Sequence, residues 1–166
     1  MTITKKRGTK TPEMIESDIT YGFNKIMSQK RPIYFLTITK TRFTEPKHLQ
    51  FIIRTFFNKI KNDYRYSFEK TNYLYIIEYP EKVSRGNMMP DDCRLHTHIL
   101  LETDLKPDVI EYYSRTIFQN EEVLYSYDKW YDLKKISHRN DKYLLINYLL
   151  KQSKMFSDFN YDYKIN

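Results

Sequence analysis

Arg94-Leu-His-Thr-His-Ile-Leu-Leu-Glu102, set beside Tyr73-Leu-Tyr-Ile-Ile-Glu-Tyr79, decides the fold. Both stretches read as strands, the second of them closed by Pro80, and the loop between them holds Gly86, Asn87 and Pro90. Such a connection favours an antiparallel hairpin. Working outward, Ile33-Tyr-Phe-Leu-Thr-Ile-Thr-Lys40 is a further strand, set off by the break at Arg31-Pro32. It is followed by a helix with an apolar stripe of Leu49, Ile52, Ile53, Phe56 and Ile60, for which Thr44 is the expected cap and Pro46 lies in the first turn. Beyond the hairpin, Pro107 to Phe118 reads as a second helix and Val123 to Tyr131 as a fourth strand. The order βαββαβ predicts an α+β fold of the ferredoxin-like or RRM-like kind, an antiparallel sheet backed by helices. An extra helix is expected at each end. One carries Ile15, Ile19, Phe23 and Ile26 at helical spacing from Pro12, and the other runs from Asn140 to Gln152 after Ser137. Residues 1–11 read as a basic flexible tail and 12–166 as a single domain.

Composition bounds the function. A chain of 166 residues with 40% hydrophobic residues fits one domain with its own core, and no stretch is long enough to span a bilayer. The polar, basic start has no apolar segment behind it, and Cys93 is the single cysteine, so neither export nor an intramolecular disulfide is expected and the expected location is cytoplasmic. Net charge is +7, with 16 tyrosines and 10 phenylalanines against three glycines. Lysine and arginine neutralise phosphates, and aromatic faces stack on unpaired bases for roughly 1–3 kcal/mol each. A coding sequence rich in A and T produces a similar composition, so particular residues must decide.

His96 and His98 lie two apart on a strand and leave the same face, while Leu95, Thr97, Ile99 and Leu101 leave the other. Both imidazoles can reach one ion. An antiparallel register that pairs Glu78 with His96 would bring a carboxylate beside them. Glu102 is the rival third ligand because it shares their face, but its place at the strand end predicts solvation. The alternative for the pair is two hydrogen-bonded, partly buried histidines. Two histidines and one carboxylate suit zinc, whereas phosphoryl chemistry commonly uses magnesium or manganese, and imidazole ligands favour Mn2+ over Mg2+.

Tyr148 and Lys151 stand three apart on the last helix, hence on one side of it. A phenol, with a pKa near 10, is a poor nucleophile at neutral pH; a nearby cation and a metal polarising the phosphate would both lower the barrier. Tyr143 is the rival nucleophile, turned away by five helical residues. The structural alternative for Tyr148 is core packing among Leu144, Leu145 and Leu149. His48 and His138 fall near helix starts and are expected at the surface. Lys5, Lys6 and Arg7 in the tail, with Arg139 and Lys142 flanking the last helix, are candidate contacts to a nucleic-acid backbone; solvated charge is the alternative.

Tyr34-Phe-Leu-Thr-Ile-Thr39, Glu78 followed by Leu95-His-Thr-His-Ile-Leu-Leu101, and Tyr148-Leu-Leu-Lys151 together resemble, in order, the three motifs of HUH endonucleases, particularly rolling-circle replication initiators. The resemblance spans Tyr34 to Gln152. It implies that His96 and His98, with Glu78 as third ligand, hold a divalent cation against the scissile phosphate of single-stranded DNA. It further implies that Tyr148, accompanied by Lys151, forms a 5′-phosphotyrosine and frees a 3′-hydroxyl. Thr97 departs from the family, which usually has a more hydrophobic residue there. Neither a phosphate-binding glycine loop nor a helicase module is read in this sequence, so three alternatives stay open: a nuclease domain excised from a longer protein, a small protein served by a host helicase and polymerase, or action on a substrate already unpaired. A single-tyrosine transposase or relaxase would share the chemistry. A non-catalytic module whose exposed sheet stacks unpaired bases is the alternative of another class.

Overall fold

The computed structural model describes residues 9–39, 41, 43–80, 94–118, 131–136 and 142–166. In chain order they form α1 (Pro12–Met27), β1 (Ile33–Ile38), α2 (Pro46–Asp63), α3 (Arg65–Lys70), β2 (Asn72–Glu78), β3 (His96–Glu102), α4 (Pro107–Phe118), β4 (Tyr131–Lys135), α5 (Lys142–Leu150), a 3-10 turn (Ser153–Met155) and β5 (Tyr161–Lys164). None of the described helices is long and apolar enough to cross a membrane.

Local chemistry sets the helix ends. Thr11 Oγ1 accepts a hydrogen bond from the Met14 N–H and Pro12 begins α1, so an otherwise orphaned amide is satisfied where the helix starts. At α2 the cap position falls on Glu45, with no side-chain bond, and not on Thr44 as its residue type suggests. Pro46 is the reason: the residue before a proline is driven out of the helical region, and Glu45 is extended at φ −116° and ψ 129°.

The sheet has the order β4-β1-β3-β2-β5, and every neighbouring pair is antiparallel. β1 and β2 are therefore parallel to one another on either side of β3, the split arrangement of a ferredoxin-like α+β fold. Both faces of the sheet are covered. On one, Leu36, Ile38, Tyr75, Ile77, Ile99 and Leu101 pack against the stripe of Leu49, Ile53, Phe56 and Ile60 on α2 and against Ile110 of α4. On the other, Ile33, Leu74, Ile76 and Leu100 meet Ile15, Ile19, Phe23 and Ile26 of α1 and Leu149 of α5. The terminal helices thus form a second layer over the face from which His96 and His98 project. Gly22 permits close contact there, since a Cβ at that position would lie 3.1 Å from Tyr163 Cγ on β5.

Some boundaries differ from those predicted. The described fourth strand is Tyr131–Lys135; of the expected span Val123 to Tyr131, residues 123–130 lie outside the described residues. Its place is fixed by the ladder to β1, where Leu133 faces Leu36 and Tyr131 faces Ile38. The last helix is described from Lys142 and stops at Leu150, with Lys151 and Gln152 in the following turn. α3 and β5 were not anticipated: α3 buries only Phe68, and β5 is a four-residue edge strand.

Candidate active site

The β2–β3 register places Glu78 directly opposite His96 and Ile76 opposite His98. Because side chains alternate along a strand, Glu78, His96 and His98 leave the same face, and the carboxylate falls between two imidazoles. Glu78 Oε2 lies 2.9 Å from His96 Nε2 and 3.2 Å from His98 Nε2. Glu78 is fully buried and His98 nearly so, while the His96 side chain retains 21% exposure, so the cluster opens to solvent beside His96.

These three residues form a group able to hold a metal ion, with candidate ligand atoms all within 4.8 Å of one another. The donor set fits a cation for a further reason: Glu78 Oε1 is buried without a hydrogen-bond partner, although such an atom is costly to leave unpaired. The carboxylate is also kept ionised. Burial pushes the Glu78 pKa up, but hydrogen bonds from His96 and His98 and the charges of His98 and Lys151 outweigh it and bring the pKa down to about 2. For His98, burial dominates over the pull of Glu78 and lowers the pKa, which favours the neutral imidazole that a metal requires.

β1 orients the second histidine. Thr37 faces His98 across the β1–β3 ladder, and its Oγ1 lies 3.0 Å from His98 Nδ1. With Nε2–H donating to Glu78, the Thr37 hydroxyl donates to Nδ1; with an ion on Nε2, Nδ1 would carry the proton and the hydroxyl would accept. Phe35 stacks on the same imidazole at 5.3 Å between ring centres and 8° between planes. The motif resemblance groups Tyr34 to Thr39 with the site, and strand parity is the signal in the sequence that puts Phe35 and Thr37 on the histidine face.

Tyr148 and Lys151 come to the same place. The Tyr148 ring meets His98 edge-on at 5.1 Å and is 42% exposed, so it is not a core residue. Lys151 Nζ sits 3.9 Å from the centre of the Tyr148 ring and 3.3 Å from Glu78 Oε2. One ammonium therefore touches both the candidate nucleophile and the candidate ligand. Tyr143 is 77% exposed, with no contact to the cluster among the described residues.

Gln152, which sequence reasoning passed over, holds the two halves together. Its Oε1 accepts from the Tyr79 N–H and its Nε2 donates to the Tyr79 carbonyl, both at 2.9 Å. Tyr79 follows Glu78 and Gln152 follows Lys151, so this buried amide ties the end of β2 to the end of α5. No local pattern marks such a residue; only the tertiary pairing does.

The remaining candidates fall elsewhere. Glu102 is not solvated at its strand end: it is fully buried at the far end of β3, where Arg31 Nε donates at 2.5 Å and Asn72 Nδ2 at 2.7 Å. Arg31 and Asn72 close over this strand end, and the carboxylate there serves an ion pair and not the metal group. His48 is exposed in the first turn of α2, 3.9 Å from Glu45. Lys142 is half-buried at the start of α5 and makes no ion pair with the cluster among the described residues. Lys5, Lys6, Arg7, Arg139 and His138 lie outside the described residues. No protein-family model, curated protein or solved structure matches this chain.

Proposed function

We propose that the protein is a metal-dependent endonuclease that nicks single-stranded DNA and retains the cut end on Tyr148. The observation that supports this most is the placement of the Tyr148 ring against His98, while His98 and His96 share one oxygen of Glu78. A candidate nucleophile, a candidate cation site and a lysine thus lie side by side. Glu78, His96 and His98 would hold the ion, and imidazole ligands favour Mn2+ over Mg2+. When bound, such an ion draws charge from a phosphate oxygen and makes the phosphorus more electrophilic.

The chain's own groups account for the rest. Lys151, beside the phenol, favours the developing phenolate by its positive charge. Tyr148 Oη forms a bond to phosphorus as the bond from phosphorus to the 3′ oxygen breaks. The phenolic proton ends on that oxygen, leaving a 3′-hydroxyl and a 5′-phosphotyrosine. Reversal of the same step rejoins the strand. Initiation of rolling-circle replication at the origin of a plasmid, virus or phage, with a host helicase and polymerase, is the setting that the resemblance to HUH endonucleases suggests; transposition and conjugative transfer use the same chemistry.

A module that stacks bases on an open sheet is less well supported, since α1 and α5 cover the face opposite α2 and α4. The test is incubation with a panel of labelled single-stranded oligonucleotides and Mn2+. A labelled protein band that survives denaturation, and is lost with chelator and in Tyr148→Phe, is expected; tight binding without such a band under any condition overturns the proposal.

A further inference from the structure

Beside Tyr148 a cleft of about 440 Å3 runs to the β4 edge of the sheet. Leu144, Leu145 and Tyr148 of α5 form one wall, Phe35 lies opposite, and Lys134 and Lys135 stand on the β4 side. Its volume lies in the range of small-ligand sites, roughly 300–1,000 Å3. We infer that this cleft seats one unpaired nucleobase of the nucleotide adjoining the phosphate presented to Tyr148. The inference rests on the nuclease reading above and adds a base-binding subsite to it.

Three features of the cleft point to that occupant. Its lining joins two aromatic rings to aliphatic side chains, a surface suited to the flat faces of a base, whichever base it is. Leu144 is 74% exposed, so apolar surface stays in water unless something covers it. A cation lies on the β4 side, where phosphates flanking a seated base would run. Lys134 faces Phe35 across the β1–β4 ladder and so shares the face of the cleft, and its side chain keeps 72% exposure although its Nζ is 3.1 Å from Asp132; Lys135 pairs with Tyr34 and leaves the other face. Apolar walls and a basic edge match the two halves of a nucleotide, and the cleft is continuous with the candidate nucleophile because Tyr148 lines both.

Fluorescence anisotropy in chelator, which permits binding without cleavage, separates base from backbone. The probes are a labelled 20-nucleotide oligothymidylate and a 20-unit abasic oligomer with the same phosphates. The whole protein should prefer the thymidylate by about tenfold or more, in line with stacking of a base on aromatic side chains. Leu144→Ala, at an exposed position that leaves the core intact, and Leu145→Ala should shrink that preference to about threefold without weakening the abasic oligomer. Lys134→Gln should weaken both probes alike. An unchanged preference in both leucine variants, or none in the unaltered protein, overturns the subsite. A covalent adduct formed without base preference would sink the subsite alone, whereas base preference lost in the leucine variants, with no adduct on any oligonucleotide, would sink the nuclease reading alone.

Discussion

Replacing Gln152 by alanine removes both hydrogen bonds to Tyr79 and leaves its amide and carbonyl to find other partners. Each neutral bond contributes about 1 kcal/mol net, and an amide or carbonyl stranded away from water costs more. Gln152 is only 5% exposed, so water has little access to the gap. The expected loss is about 2–3 kcal/mol, which for a chain of this size lowers Tm by about 5–10 °C. Urea unfolding of Gln152→Ala should show a lower midpoint with an unchanged slope. Gln152→Glu should not rescue it, because the oxygen that replaces the amide nitrogen faces the Tyr79 carbonyl. Since the clamp joins the Glu78 strand to the Tyr148 helix, Mn2+ affinity measured by calorimetry should fall by about tenfold, as when outer groups of a metal site are lost. A Tm within about 1 °C of wild type would refute the clamp.

Three further outcomes are expected. Glu78 has a folded pKa of about 2 against its ordinary 4.5, so its contribution is fully present above about pH 4.5 and lost as pH falls towards 2, a span on the order of 3 kcal/mol. In metal-free urea unfolding, the stability gap between wild type and Glu78→Gln should therefore close on acidification; parallel pH profiles would contradict it. Thr37→Val removes the hydrogen-bond partner of His98 Nδ1 and should weaken Mn2+ binding by about tenfold with little change in Tm, and an unchanged Kd would show that Thr37 does not orient the ring. Arg31→Ala strands the buried Glu102 carboxylate with Asn72 as its remaining side-chain partner and should cost about 3–5 kcal/mol in chemical unfolding, whereas a neutral effect would remove Arg31 from the core ion pair.

What was legible in the sequence follows from what is periodic. Ile15, Ile19, Phe23 and Ile26, or Leu49, Ile53, Phe56 and Ile60, repeat at helical spacing because one side of each helix is buried, and those residues are indeed the core. The pairing of Glu78 with His96 was legible because strand parity and a hairpin leave few registers. β5 was not: Tyr161-Asp-Tyr-Lys164 is short and half polar, and it becomes a strand by pairing with the free edge of β2. The run of β4 beyond Tyr131 was not legible for a related reason, as an edge strand with half-exposed residues carries little alternation of its own. The burial of Glu102 and the Gln152 clamp depend on Arg31, Asn72 and Tyr79, partners distant in sequence whose approach no local pattern announces.

The decisive measurement is mass spectrometry of the tryptic peptide Tyr143-Leu-Leu-Ile-Asn-Tyr-Leu-Leu-Lys151 after reaction with single-stranded DNA and Mn2+ and digestion of the excess nucleotide. Fragment ions should carry the nucleotide mass on Tyr148. The same mass on Tyr143, or on a tyrosine remote from His96 and His98, would contradict the convergence of metal group and phenol on one phosphate.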